Sequence, residues 1–161
     1  MAHLTGYTQV FAGDTSVVDT AAQHPLRTRA FDTEGNEYIY LQGVASTVLY
    51  SPVVYDEAGL TVLADSAGTA PSNEGPIAVA QAAIVADRYG WYMIHGKTYM
   101  ISGDVADNGQ IYLTTGAGTV DDADVAQALV IGAWARGADD SDNTRVLVQI
   151  NYPMVHRAAI D

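Results

Sequence analysis

The chain contains no cysteine, so neither a disulfide nor a thiolate metal centre is open to it, and the redox state of its surroundings leaves no mark on the sequence. Cations are scarce: 7 Lys and Arg stand against 19 Asp and Glu, a formal charge of -12, and Lys97 is the only lysine. Such a surface repels phosphate backbones and releases few counterions, which argues against nucleic acid as a partner. Long hydrophobic runs are missing as well. No window approaches the ~20 apolar residues that cross a bilayer, so no membrane partner is expected. The start, Met1 to Gly6, lacks a basic stretch followed by an apolar run, and the expectation is a soluble, unexported protein.

What is present is a chain of 161 residues that is 48% hydrophobic and only 16% charged, with 15 glycines and 10 tyrosines. That is too apolar for a disordered chain, and a globule of this length buries roughly 70% of the surface its unfolded form exposes. Short β-branched and aromatic runs alternate with turn-formers throughout, which predicts an all-β domain, either a small β-barrel or a β-sandwich-like fold.

Residues 1–25 carry single apolar residues among Gly, Thr, Asp and Ser with neither a helical nor a strand period, and are expected to form an extended N-terminal arm before one β domain over 26–161. Arg27–Phe31 and Tyr38–Leu41 flank Asp32-Thr33-Glu34-Gly35-Asn36, a hairpin pattern. Val53–Tyr55 and Leu60–Leu63 flank Asp56–Gly59 in the same way. Asp65 to Gly75 is expected to be a surface loop. Ile77–Val85 and Trp91–Ile101 are expected to be paired strands; Pro76 and Gly90 at the ends of the alanine-rich stretch weigh against a helix there. Gln110–Leu113 follows Asn108-Gly109, the acidic stretch Asp121–Asp124 with Val125–Leu129 has room for a helical turn, and Leu129–Ala135 pairs with Arg145–Ile150, with Pro153 closing the last strand. The order of runs in about 50–105 resembles that in about 106–155, a period of roughly 55 residues that would let two copies close into a small barrel.

Catalytic chemistry finds little footing. His3 and His24 fall in the arm, His156 near the end, and His95 in an aromatic strand where a packed ring is its expected role. There is no Gly-x-Ser-x-Gly elbow and no lysine-bearing phosphate loop. Asp139, Asp140, Asp142 and Asn143 lack the glycine and the distal carboxylate of a calcium loop. The expectation is therefore no enzyme, no catalytic residues, no metal and no cofactor.

Six blocks carry a resemblance: Val53–Gly59, Gly75–Ala80, Tyr89–Lys97, Asp107–Tyr112, Ala117–Ala123 and Val146–Pro153. Their order across Val53–Ile150 resembles the small capsid decoration, or cement, proteins of tailed bacteriophages. The resemblance implies a structural virion protein on the outer surface of the phage head, made in the host cytoplasm, that binds the major capsid protein, stabilises the lattice by bridging its subunits, and sits there as a homotrimer or through self-contacts. The hairpin around Phe31 to Leu41 and the N-terminal arm depart from the smallest members of that group. The expected partner-binding residues are Leu4, Tyr7, Val10, Phe11, Val17 and Val18 of the arm, whose spaced apolar side chains can order against a neighbour, and Ser72, Asn73 and Glu74 of the loop. The alternative is a head fibre or adsorption module that binds host-surface glycans, for which Tyr89, Trp91 and Tyr92 are the candidates, although alternate residues of a strand must pack the core.

Overall fold

The computed structural model describes residues 13–67, 74–140 and 144–155. The fold is all-β. Among the described residues ten strands join into one sheet in which every ladder is antiparallel: β1 Arg29–Phe31, β2 Glu37–Gln42, β3 Pro52–Tyr55, β4 Thr61–Leu63, β5 Gly75–Ala80, β6 Tyr89–Ile101, β7 Gln110–Leu113, β8 Val120–Asp121, β9 Leu129–Ala135 and β10 Arg145–Val155.

Turn chemistry sets the hairpins. Between β1 and β2 the Asp32 carboxylate accepts the amides of Glu34 and Asn36, both at 2.9 Å, the Asn36 side-chain amide at 2.7 Å and Tyr38 Oη at 2.9 Å. Gly35 supplies the positive φ of 84° that the reversal needs. Asp56 repeats the device between β3 and β4, accepting the amides of Ala58 at 3.0 Å and Leu60 at 2.8 Å.

One pairing scheme occurs twice. Strand β3 pairs with β4 and β5, and β5 with β6; β7 pairs with β8 and β9, and β9 with β10. The two four-strand units are sewn together by β6 and β10, from Arg145↔Ile101 to Asn151↔His95. In each unit the far edge curls back toward the strand that precedes the unit and meets it at a single bridge, Gln42↔Leu60 beside β4 in the first and Ser102↔Val120 of β8 in the second. The sheet therefore folds over itself as a sandwich-like domain and does not close into a barrel. Strands β1, β4 and β8 remain edges, kept to 3, 3 and 2 residues, which limits their capacity to template aggregation.

The larger core cluster draws Tyr40, Val79, Trp91 and Met93 from the first unit and its neighbours together with Ile111, Val130, Val148 and Ile150 from the second. A smaller cluster packs Ile39, Leu41, Val53, Ala78, Tyr92 and Ile94 beneath Ala82 and Ile84. Both faces of β2 are thus covered, which is why Glu37–Leu41 is buried without alternation.

Three local expectations are corrected. The strand expected over Ile77–Val85 ends at Ala80; Gln81–Arg88 is a loop, and its alanine-rich pattern reflects Ala82 and Ile84 being buried as a lid rather than as a strand face. No helical turn follows Asp121–Asp124: the chain turns at Ala126-Gln127, with Gln127 at φ 65°. Pro153 does not close the last strand, for β10 runs to Val155. Proline is tolerated there because the ladder to β9 slips between Ile150 and Met154, so no register partner demands its missing N–H.

Candidate docking surface

The surface of interest lies where β10 changes partners. Its first part pairs with β6, while Met154 and Val155 pair with Pro76 and Gly75 of β5. Two backbone features make the change possible. Gly132 lies at φ 84°, where an added Cβ would sit 2.7 Å from the Asn151 carbonyl oxygen, and Tyr152 lies at φ 46°. Together they form a bulge that turns Tyr152 outward and Pro153 inward, Pro153 being buried while Tyr152 and Met154 are exposed.

Beneath Tyr152 sits a buried carboxylate. Glu37, 2% exposed, accepts Arg29 Nη1 at 2.8 Å and Tyr152 Oη at 2.6 Å. A buried anion is tolerable only when its oxygens are paired in this way. The hydrogen bond to Glu37, with burial and the negative charge of Glu37 adding to it, raises the Tyr152 phenol above its ordinary value. His95 stacks on Tyr152 with ring centroids 5.4 Å apart, and its Nδ1 lies 3.2 Å from Asn151 Oδ1. Arg29 spans the same ring at 5.9 Å. Tyr152 is thus held by a cation, an anion and an aromatic ring, which fixes an exposed side chain at little further entropy cost on binding.

Two depressions open beside it and share Tyr55, Gly75 and Pro76. One of about 390 Å³ is lined by Tyr55, Pro76, Ile77, Tyr152, Pro153 and Met154 with Arg29 at its edge. The other, of about 710 Å³, runs on toward Arg27, Leu60 and Val62 and includes Glu74. Burial raises the Tyr55 phenol. Met154 stands opposite Ile131 on β9, so the apolar strip continues from the groove onto the open sheet. Ile131, Tyr152 and Met154 are 51%, 51% and 42% exposed.

Of the residues expected to bind a partner, Leu4, Tyr7, Val10, Phe11, Ser72 and Asn73 lie outside the described residues. Glu74 lines the larger depression. Val17 is 49% exposed, whereas Val18 packs against the smaller core cluster; the structure brings neither into the groove lining. Asp19 exchanges backbone hydrogen bonds with Tyr89 and accepts Tyr40 Oη at 2.5 Å. His24 packs on Tyr40 and Trp91. Of the aromatic cluster offered for sugar binding, Trp91 and Tyr92 are core, 4% and 0% exposed, and the half-buried Tyr89 packs against the larger core cluster. Among the described residues no three His, Asp or Glu side chains gather as a metal site, and no helix is long and apolar enough to cross a membrane.

Sequence reasoning missed Ile131, Tyr152 and Met154. Strict alternation along Arg145–Val155 puts Tyr152 and Met154 on the buried side with Val146, Val148 and Ile150, and only the bulge reverses them. The one signal available was Asn151-Tyr152-Pro153, a proline set inside an otherwise strand-like run.

Comparison of the chain with protein-family models, with curated proteins and with solved structures finds no match in any of the three.

Proposed function

We propose that the chain is a structural protein of the virion, bound to the outer surface of a tailed-bacteriophage head, where it stabilises the shell by bridging major capsid protein subunits. The order of sequence blocks from Val53 to Ile150 supports the family side of this reading. The observation that carries the physical side is the strip of Ile131, Tyr152 and Met154 beside the Tyr55–Pro76 groove, exposed on a sheet whose bulge and buried Glu37 pair hold it in place. Contiguous exposed apolar side chains of this kind mark protein interfaces, and Tyr, Met and Arg are the types that concentrate there. In this reading the protein has no catalytic centre, metal or cofactor. Its partners are the major capsid protein and further copies of itself, as a homotrimer or through self-contacts, and neither nucleic acid nor membrane takes part.

A ligand that binds only the assembled lattice stabilises that state by mass action. The test is sedimentation of purified protein alone and with heads that lack it, followed by heating both samples. Co-sedimentation at a fixed ratio with a higher rupture temperature supports the reading; free protein in the presence of intact heads overturns it.

A further inference from the structure

A second surface lies on the same sheet beyond Asn151, and it has a different character. Register places Gln110 of β7 beside Trp134 of β9, Trp134 beside Gln149 of β10, and Gln149 beside Lys97 of β6. Direct cross-strand partners project to the same side, with Cβ atoms roughly 5 Å apart, so the four side chains form a row across the sheet. Trp134 is 44% exposed in the middle of it. The Lys97 end opens into a depression of about 340 Å³ lined by Glu34, Asn36, His95, Lys97 and Gln149. On the flank, Arg145 lies 4.8 Å over the Tyr99 ring, and Arg136 follows Trp134 two residues on, opposite Leu147.

Charge sets this face apart. The chain has 19 acids, yet β6, β9 and β10 contain none; the nearest acid in the depression is Glu34, from the β1–β2 turn. Arg145 pairs with Asp140 at 2.9 Å, but Lys97 and Arg136, both exposed, make no ion pair among the described residues. In so acidic a protein, exposed cations without an ion pair on strands that carry no acid, with Glu34 alone in the depression beside them, point to an anion supplied from outside.

The remaining side chains narrow the chemistry. An exposed indole offers a flat apolar face against which the C–H side of a sugar ring can lie, and it tolerates a wet surround. The amides on either side give both donors and acceptors suited to hydroxyl groups. Gln110 accepts Tyr112 Oη through Oε1 at 2.9 Å, which orients its amide nitrogen for a ligand. From this row, its flanking cations and the depression at its end, we infer that the Gln110–Trp134–Gln149–Lys97 face binds a carboxylated oligosaccharide, the indole stacking on a ring, the two glutamines holding hydroxyls, and Lys97 and Arg136 meeting the carboxylates. This site is separate from the apolar strip and does not rest on attachment to a phage head.

The experiment uses the full chain and three groups of probes: oligogalacturonate and oligosialic acid as carboxylated saccharides, a maltooligosaccharide of matched length as the neutral one, and dextran sulfate as a bare polyanion. Binding is followed by tryptophan emission, to which exposed Trp134 responds while Trp91 stays buried, and by calorimetry. At least one carboxylated saccharide is expected to bind saturably and about tenfold or more tightly than the neutral one, a difference of ~1.4 kcal/mol. Trp134→Ala is expected to abolish binding, Trp134→Phe to retain part of it, and Lys97→Gln to erase the preference for the carboxylated form. Both side chains stand at the surface, and an unchanged melting temperature confirms that the variants fold. No saturable binding to either carboxylated probe overturns the inference, as does dextran sulfate binding as well with Trp134→Ala making no difference.

Discussion

Tyr152 Oη donates to Glu37 Oε2 at 2.6 Å across 115 residues of sequence, tying the first hairpin to the last strand. The contact closes the polar cluster under the groove and gives the exposed Tyr152 ring a single orientation.

Removing that donor has a defined cost. Tyr152→Phe leaves Glu37 with Arg29 alone, and a buried acceptor that loses a partner typically loses about 1–3 kcal/mol. Urea unfolding should show a lower midpoint with an unchanged slope, because the fold itself is retained.

Gly96 should resist substitution. It lies at φ 121°, and an added Cβ would run into the Asn36 side chain. Gly96→Ala is expected to lower stability by more than ~1 kcal/mol, from the backbone conformation and the clash together. Asn36→Ala in the same chain relieves the clash but removes the Asn36 bond to Asp32, so the double variant is expected to lose less than the sum of the two single variants. Thermal melts of the single and double variants measure the difference.

Acid should find the Asp32 turn. Burial pushes this carboxyl up, but hydrogen bonds from Asn36, Tyr38 and Glu34 outweigh it and hold it below the ordinary 3.8. A carboxyl depressed in the folded state adds stability that is present above its unfolded value and is lost as pH falls through the folded one. Asp32→Asn is therefore expected to be less stable than the parent at neutral pH, with the gap narrowing below about pH 4. Chemical denaturation across that range is the check.

Alkali acts in the opposite sense on Tyr40, pushed up to about 12 by burial and by its bond to Asp19. Stability from a raised phenol is complete below its unfolded value of 10.0 and is lost as pH climbs through the folded one. Near-ultraviolet titration should show Tyr40 ionising late, and Asp19→Asn should bring it earlier.

The apolar strip separates binding from folding. Ile131→Asp and Met154→Asp alter exposed side chains, and surface changes usually stay within about 0.5 kcal/mol. Each is expected to leave the melting temperature nearly unchanged while preventing co-sedimentation with heads.

Much of the fold was legible because its turns carry their own chemistry: Asp32 with Gly35, and Asp56 with a glycine three residues on, announce hairpins without reference to the rest of the chain. Gln81–Val85 misled because burial under a lid and burial in a strand select the same small apolar residues. The docking strip was hidden for a stronger reason. Inside and outside alternate along a strand only while its register holds, and the register of β10 is broken by Tyr152 and by Gly132 on the strand opposite. Neither break can be placed without knowing that β10 exchanges one partner for another. Trp134 was similarly masked, since Trp91, in a richer aromatic context, was the more conspicuous indole and proved to be core.

The seam between the two four-strand units also has a mechanical meaning. Seven successive residue pairs, Arg145↔Ile101 to Asn151↔His95, join β6 to β10. Tension that slides one unit past the other along the strand axis loads all of these pairs at once, so they must fail together. Tension across the strands would peel them one by one. The domain is accordingly a directional clamp, stiff to shear along β6 and weaker to peeling across it.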